Sequence, residues 1–169
     1  MDKQARGIKN NNPLNIRYSE SNNWVGRRVG EKQDMEFEEF ELLKWGFRAA
    51  FILIHNYMTL KKATTIESII TRWAPPTDFN DTYNYIRIVS EYVGKRPTED
   101  IFFDDGVIMT GIVTAMAKME VGVSYPLSEV MRGYVLACLS LGITPKWYGF
   151  EMHRNMYRVI EKEEIKEAL

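Results

Sequence analysis

The stretch "GVIMTGIVTAMAKMEVG", residues 106–122, is typical of an apolar helix that carries a carboxylate close to its end. On a wheel of about 100° per residue, the apolar side chains form a broad arc, and Thr110, Thr114 and Lys118 lie opposite it. Glu120 falls within the apolar arc, and Gly122 is placed to end the helix. The pattern therefore predicts a helix over about 107–121 with a carboxyl group on its apolar side.

Helix stability does not explain the position of Glu120. A negative charge in the last turn opposes the helix dipole at a cost of about 0.3–1 kcal/mol if it is exposed. Apolar neighbours and a helix C-terminus both disfavour the ionised form of a carboxyl group. A carboxylic acid that stays protonated can donate a proton to a leaving oxygen, so Glu120 is a candidate general acid. The alternative is a surface charge that reaches water from the helix end.

Composition limits the classes of function. The 169 residues, 45% of them hydrophobic, suffice for one compact domain. With 22 basic and 23 acidic residues the formal net charge is −1, which argues against a nucleic-acid partner. One cysteine, Cys138, and two distant histidines provide neither a disulfide framework nor the usual ligands of a metal. We expect no metal and no cofactor.

The chain shows no sign of a targeting or membrane segment. Its first residues, "MDKQARGIKNNNP", lack the apolar stretch of a secretory signal peptide. The most hydrophobic run, 49–54, is too short to span a bilayer. We therefore expect a protein without a membrane span that is made in the cytoplasm and leaves it, if it leaves, by another route.

Local patterns predict a mainly helical (α+β) domain. Residues 1–13 are polar and predict an ordered loop, and alternation within 24–40 predicts a small β-hairpin near the N-terminus. Helical periodicity and capping residues predict six helices, at about 41–59, 65–73, 81–93, 107–121, 127–141 and 150–167.

Two motifs and the end of the 107–121 helix carry a family resemblance. "RGIKNNNPLNIR" (6–17), "RWAPPTDFNDTYNYI" (72–86) and the "EVG" that begins at Glu120 are similar to segments of phage-borne and bacterial proteins of the lysozyme-like superfamily. Lytic transglycosylases and glucosaminidase-type wall hydrolases are the resembled members. The resemblance implies a lysozyme-like domain over 1–142, with 143–169 as a helical extension packed on it.

The order of the motifs implies a circular permutation. In the resembled enzymes the helix with the catalytic Glu precedes the other two segments, whereas Glu120 follows them here. Permutation is physically admissible when chain termini lie close together at the surface. The resemblance then implies a lytic transglycosylase or muramidase that cleaves peptidoglycan glycan strands at the bacterial cell wall or periplasm, as a phage, virion-associated or wall-remodelling protein.

The same resemblance suggests which residues bind the glycan. Glu120 is the expected catalytic acid, and the expected substrate-binding residues are Tyr85, Thr82, Asn12, Asn15 and Arg72. Three of the binding residues have a second interpretation: Tyr85 as a core aromatic residue, and Asn12 and Asn15 as ties that hold the N-terminal loop.

A second carboxylate is a further question, because glycosidases that retain or invert configuration use two and lytic transglycosylases need one. Asp34, Asp81 and Glu20 are the candidates, although Asp81 is better explained as a helix N-cap. We therefore expect a single-acid mechanism. The competing hypothesis is a wall-binding or virion structural module without activity, in which Glu120 is exposed or ion-paired. Residues 143–169 are a candidate binding surface for a phage or wall-associated protein partner.

Overall fold

The computed structural model describes residues 2–168, and the protein is mainly helical, as the sequence predicts. A short 3₁₀ turn at Pro76–Asp78 precedes the fourth helix. The seven α-helices in the described part of the chain are α1 (Lys3–Lys9), α2 (Leu43–Leu60), α3 (Ile66–Trp73), α4 (Thr82–Val93), α5 (Gly106–Val121), α6 (Leu127–Leu141) and α7 (Glu151–Ala168).

Helices α2 to α7 begin and end within about two residues of the predicted bounds, because local signals set their ends. The carboxylates of Asp81 and Asp105 accept hydrogen bonds from the first turns of α4 and α5. Gly94, Gly122 and Gly142 adopt left-handed backbone conformations after α4, α5 and α6.

The predicted loop over 1–13 is wrong at its start, where the chain forms α1. Asp2 accepts a hydrogen bond from the backbone N–H of Gln4 at 3.3 Å. A helix this short gains most of its stability from tertiary packing, which a local pattern does not record. Gly7 is the buried residue of α1, and a Cβ there would overlap the side chains of Val121 and Asn15.

The segment between α1 and α2 is held by ion pairs and isolated bridges. Arg17 pairs with Phe37, and Arg27 pairs with Phe40, both in antiparallel bridges. Residues 2–168 contain no strand longer than such a bridge. The segment therefore depends on side-chain contacts more than on a ladder of backbone hydrogen bonds.

Those contacts include three buried carboxylates. Glu38 receives two hydrogen bonds from Arg27, and Glu39 pairs with Arg28 at 2.9 Å. The third carboxylate, Asp34, is bound by the guanidinium of Arg6 in α1. These pairs fix the segment to itself and to α1.

The core lies around α2 and α6, which pack closely because Gly133 leaves room for Phe47. The last helix, α7, contributes Tyr157 and Ile160 to the same core. None of the helices in residues 2–168 combines the length and the apolar character needed to cross a membrane.

Candidate functional site

Glu120 is buried at the end of α5, with 6% of its surface exposed, as its place on the apolar arc predicts. The hydroxyl of Tyr85 donates a hydrogen bond to Oε1 at 3.2 Å. The side-chain amide of Asn15 donates to the backbone carbonyl of Glu120 at 3.1 Å and contacts Oε2 at 3.4 Å. The ammonium group of Lys3 lies 3.1 Å from Oε2.

The surroundings of this carboxyl group differ from the apolar pocket that the sequence predicts. A cation and two neutral hydrogen-bond donors face it, from Lys3, Tyr85 and Asn15. The difference arises because α1 packs on α5, so that Lys3 reaches Glu120 from a distant part of the chain. The methionines and alanines of α5 account for the burial of Glu120, and residues from other segments account for its polar partners.

A cleft of about 230 Å³ passes beside the carboxyl group. Its walls come from α1, from the start of α4 and from the end of α5, so three parts of the chain meet there. The lining residues are Lys3, Gln4, Asn80, Asp81, Asn84, Tyr85, Met119 and Glu120. Seven of the eight lining residues carry a polar group, among them amides, carboxylates and an ammonium group, which suits a ligand with many hydroxyl or amide groups.

Tyr85 lies in this cleft and is bound directly to Glu120. Burial, together with the neighbouring Glu120 carboxylate, raises the pKa of Tyr85 well above its usual range. The phenol therefore keeps its proton at neutral pH and acts as a hydrogen-bond donor to Oε1. The interpretation of Tyr85 as a core residue also has support, because its ring belongs to the hydrophobic core.

Asn15 is the second residue that the structure brings to Glu120. Its backbone has φ of 50°, a left-handed conformation that asparagine tolerates better than most residues. Its side-chain Oδ1 is buried and has no hydrogen-bond partner. This turn therefore directs the amide group of Asn15 toward the end of α5.

Apart from Tyr85, the expected substrate-binding residues lie outside the cleft lining. Asn12 is fully buried, and its side-chain amide donates to the backbone carbonyls of Ile16 and Glu38 and accepts from the N–H of Ile16. These contacts hold the N-terminal loop in place, which is the second interpretation of this residue. Thr82 is buried and donates to the carbonyl of Ala74 at 2.6 Å. Arg72 is exposed on α3. The side chains of Asn12 and Thr82 therefore hold adjacent loops together, and none of these three side chains lines the cleft.

Two of the three candidate second carboxylates are occupied by structural contacts. The pKa of Asp34 lies well below its usual range, chiefly because Arg6 donates hydrogen bonds to it, with further donation from Asn10. Asp81 caps α4 by accepting from Asn84 N–H at 3.2 Å, and it also lines the cleft. Glu20 is exposed.

Several cleft residues had no signal in the sequence. Lys3 and Gln4 belong to the part that was predicted to be a loop, and nothing local relates them to Glu120. Asn80 and Asn84 belong to the quoted 72–86 motif and could have been selected as polar side chains that flank Asp81.

Larger grooves occur elsewhere on the surface. One of about 330 Å³ beside Phe150 has no carboxylate in its lining. Another, of about 420 Å³, contains Glu164, which is bound by both Lys44 and Arg132. In residues 2–168, no three His, Cys, Asp or Glu side chains are grouped as ligands for a metal ion.

Comparison with known proteins identifies a phage relative. No protein-family model matches the chain. Protein P5 of Pseudoalteromonas phage PM2 is 35% identical over 138 residues, which cover 79% of this chain and 82% of the relative. The similarity therefore extends over most of both proteins. The chain belongs to the same family as Protein P5 of Pseudoalteromonas phage PM2.

Proposed function

We propose that the protein cleaves the glycan strands of peptidoglycan, as a lytic transglycosylase or muramidase with Glu120 as its single general acid and base. The observation that carries this proposal is the Glu120 carboxyl group beside a polar cleft, with Oε1 held 3.2 Å from the hydroxyl of Tyr85. A positioned carboxyl group in a groove is what protonation of a glycosidic oxygen requires.

The packing of α1 supports the proposed permuted lysozyme-like fold. In the resembled enzymes, the helix that ends on the catalytic Glu leads into a β-ribbon. Here the end of α5 contacts α1 through Gly7 and Val121, and α1 leads into the bridged segment 17–40. The spatial order of helix, ribbon and cleft is thus compatible with the resembled fold, although the chain order differs. The bridged segment takes the place of the hairpin in this proposal.

The chemistry needs a protonated Glu120. The acid donates its proton to the glycosidic oxygen as the bond to the anomeric carbon breaks, and the oxocarbenium-like centre develops on the sugar. In a lytic transglycosylase, a hydroxyl of the same sugar then attacks the anomeric carbon and returns its proton to the carboxylate. A muramidase adds water instead. The ammonium group of Lys3 contacts the same carboxyl group, 3.1 Å from Oε2.

The ion pair between Lys3 and Glu120 favours a second candidate function. A carboxylate that is matched by a cation and two hydrogen-bond donors is also what a purely structural residue needs. The alternative is therefore a wall-binding or virion structural module that has a lysozyme-like fold and no activity.

A digestion experiment separates these functions. Purified peptidoglycan is incubated with the wild type, Glu120→Gln or Glu91→Gln, and the soluble fragments are identified by mass spectrometry. Glu91 is an exposed residue of α4 and serves as the control. Fragments with anhydro ends that disappear only in Glu120→Gln support a transglycosylase, and reducing ends support a hydrolase. If the folded wild type releases no fragments, both enzymatic versions are wrong.

The phage relative gives a setting for this activity. We propose that the protein acts at the bacterial cell wall as a phage or virion-associated protein, in keeping with a relative from a phage. In this proposal residues 1–142 form the lysozyme-like domain, and 143–169 form an extension whose outer face can contact a phage or wall protein.

A further inference from the structure

Phe79 lies in the turn that leads into α4, and its side chain is fully exposed to solvent, with 101% relative exposure. Its backbone has φ of 59° and ψ of 27°, a left-handed conformation. Such a conformation is uncommon for a bulky side chain, and glycine or asparagine adopts it at lower cost. A phenylalanine that is strained and makes no packing contact in its own protein does not contribute to the stability of the fold.

The turn around Phe79 is firmly anchored. The backbone N–H of Phe79 donates to the carbonyl of Pro76 at 3.2 Å, and the side-chain amide of Asn80 donates to the carbonyl of Pro75 at 3.0 Å. On the other side, the buried Thr82 hydroxyl is bonded to Ala74. These bonds hold the backbone of the turn, so the side chain of Phe79 projects from a fixed point on the surface, as expected for a rigid element that presents a side chain to a ligand.

Phe79 directly precedes, along the chain, the residues that form one wall of the Glu120 cleft. Asn80, the next residue, lines the cleft together with Asp81 and Asn84. We propose that Phe79 is a stacking platform for a sugar ring of a glycan strand that occupies the cleft, and that the neighbouring amides hydrogen-bond its polar substituents. This inference rests on the proposed function because it takes the cleft to be the glycan site.

The chemistry of the surroundings selects a sugar over an apolar partner. An apolar protein surface would need a contiguous hydrophobic patch, but the residues just before Phe79 are the exposed Thr77 and Asp78. A pyranose ring has an apolar face of C–H groups and a polar edge of hydroxyl and acetamido groups. A single aromatic ring beside two asparagines matches both parts.

The test uses variants that change the ring without removing the turn. Phe79→Gly deletes the ring and suits the left-handed backbone, so this variant should fold and melt at the same or a higher temperature. Phe79→Trp keeps an aromatic surface. Tyr83→Ala is the matched control, because Tyr83 is 80% exposed on α4 and lies about 150° around the helix from the side formed by Asn84 and Tyr85.

The probes are a soluble tetrasaccharide of β-1,4-linked N-acetylglucosamine, measured by calorimetry, and purified peptidoglycan, measured by co-sedimentation. We expect Phe79→Gly to weaken tetrasaccharide binding about tenfold, which is about 1.4 kcal/mol, and to lower co-sedimentation. Phe79→Trp and Tyr83→Ala should bind like the wild type. Equal binding by the wild type and Phe79→Gly, equal losses in Phe79→Gly and Tyr83→Ala, or no binding of either probe by the wild type overturns the inference.

The failure of this inference and that of the proposed activity are distinguishable. If the wild type releases no fragments but its binding still depends on Phe79, the platform stands and the enzymatic function is wrong. If cleavage depends on Glu120 but Phe79→Gly binds and cleaves like the wild type, the enzymatic function stands and the platform is wrong.

Discussion

The ammonium group of Lys3 lies 3.1 Å from Oε2 of Glu120, so the first helix of the chain places a cation on the candidate acid. In Lys3→Met the ammonium group is absent, so the Glu120 carboxyl group is no longer held in an ion pair and its Oε2 atom is free to meet a substrate. Under the proposed function, we expect this variant to release peptidoglycan fragments several-fold faster than the wild type at pH 7. Lys3 is half-exposed, and the buried Glu120 keeps its hydrogen bonds from Tyr85 and Asn15, so the melting temperature should change little.

Lys9→Met is the control for this prediction, because it removes the same charge from the other end of α1. An unchanged rate in both variants would show that Lys3 does not restrain the acid. A rate that falls in Lys3→Met alone would show instead that the ammonium group assists the reaction or holds the substrate.

Asp34 gives a pH-dependent prediction. Hydrogen bonds from Arg6 hold the folded-state pKa of Asp34 well below its ordinary value of 3.8. The stabilisation from Asp34 is therefore fully present above about pH 4 and is lost as the pH falls below that value. We expect Asp34→Asn to lower the free energy of unfolding by about 2–3 kcal/mol at pH 7, because Arg6 and the nearby N–H groups lose a charged acceptor.

Urea unfolding of both proteins at pH 7 and pH 3 measures this difference. It should be smaller at pH 3 than at pH 7, because Asp34 of the unfolded chain, with its ordinary pKa of 3.8, is then largely protonated, and folding must remove that proton. A difference that stays constant between the two pH values would contradict the linkage between Asp34 ionisation and folding.

Gly7 tests whether helix propensity or packing governs α1. Alanine is the better helix former by about 1 kcal/mol, so Gly7→Ala would stabilise an isolated helix. A Cβ at this position overlaps Val121 and Asn15, however, and overpacking of this kind costs about 1–3 kcal/mol. We therefore expect a lower melting temperature in Gly7→Ala by thermal unfolding, and also weaker activity because Asn15 contacts Glu120.

The control for Gly7→Ala is Ala5→Gly, at an exposed position of the same helix. It lowers helix propensity without any overlap, so a loss of about 0.5–1 kcal/mol is expected. If Gly7→Ala instead raises the melting temperature, the contact between α1 and the end of α5 has room for a methyl group, and the expected overlap is wrong.

Glu164 tests the attachment of α7. Its buried carboxylate is bound by Lys44 of α2 at 3.0 Å and by Arg132 of α6 at 3.3 Å. Glu164→Gln removes the buried carboxylate that joins the two cations, which keep only their exposed partners Glu167 and Glu163, and we expect a loss of about 2 kcal/mol. Glu167 also pairs with Lys44 but is exposed, so Glu167→Gln should cost less than about 1 kcal/mol. Urea unfolding of the two variants gives the comparison, and equal losses would contradict the special role of Glu164.

Limited proteolysis gives a second readout for Glu164. Cleavage within α7 should become faster in Glu164→Gln and not in Glu167→Gln, because only the first substitution removes a buried link to α2 and α6. Uniform acceleration along the whole chain would indicate global destabilisation rather than release of α7.

Periodicity and capping residues were enough to predict helices α2 to α7. They also placed Glu120 on the buried side of α5, since burial on a helix follows from spacing within the segment itself. The cap residues Asp81 and Gly122 act within one turn of their helices and were predicted for the same reason.

The partners of Glu120 could not be predicted in the same way, because they come from separate segments. Asn15 and Tyr85 lie 105 and 35 residues away along the chain. Helix α1 was missed because its stability comes from packing on α5, and Gly7 in isolation argues against a helix. The ion pair between Arg6 and Asp34 likewise joins residues 28 positions apart, and charges alone do not show which pairs will form.

The packing of α1 on the end of α5 also sets an order of events during synthesis on the ribosome. Domains fold as units while the chain emerges from its N-terminus, and contacts between distant segments form late because they close long loops. Asn15 and Tyr85 are translated well before Glu120, so a nascent chain carries two parts of the site without the carboxyl group. Under the proposed function, unfinished chains are therefore unable to cleave glycan, and the activity begins only when α5 is complete and has met α1.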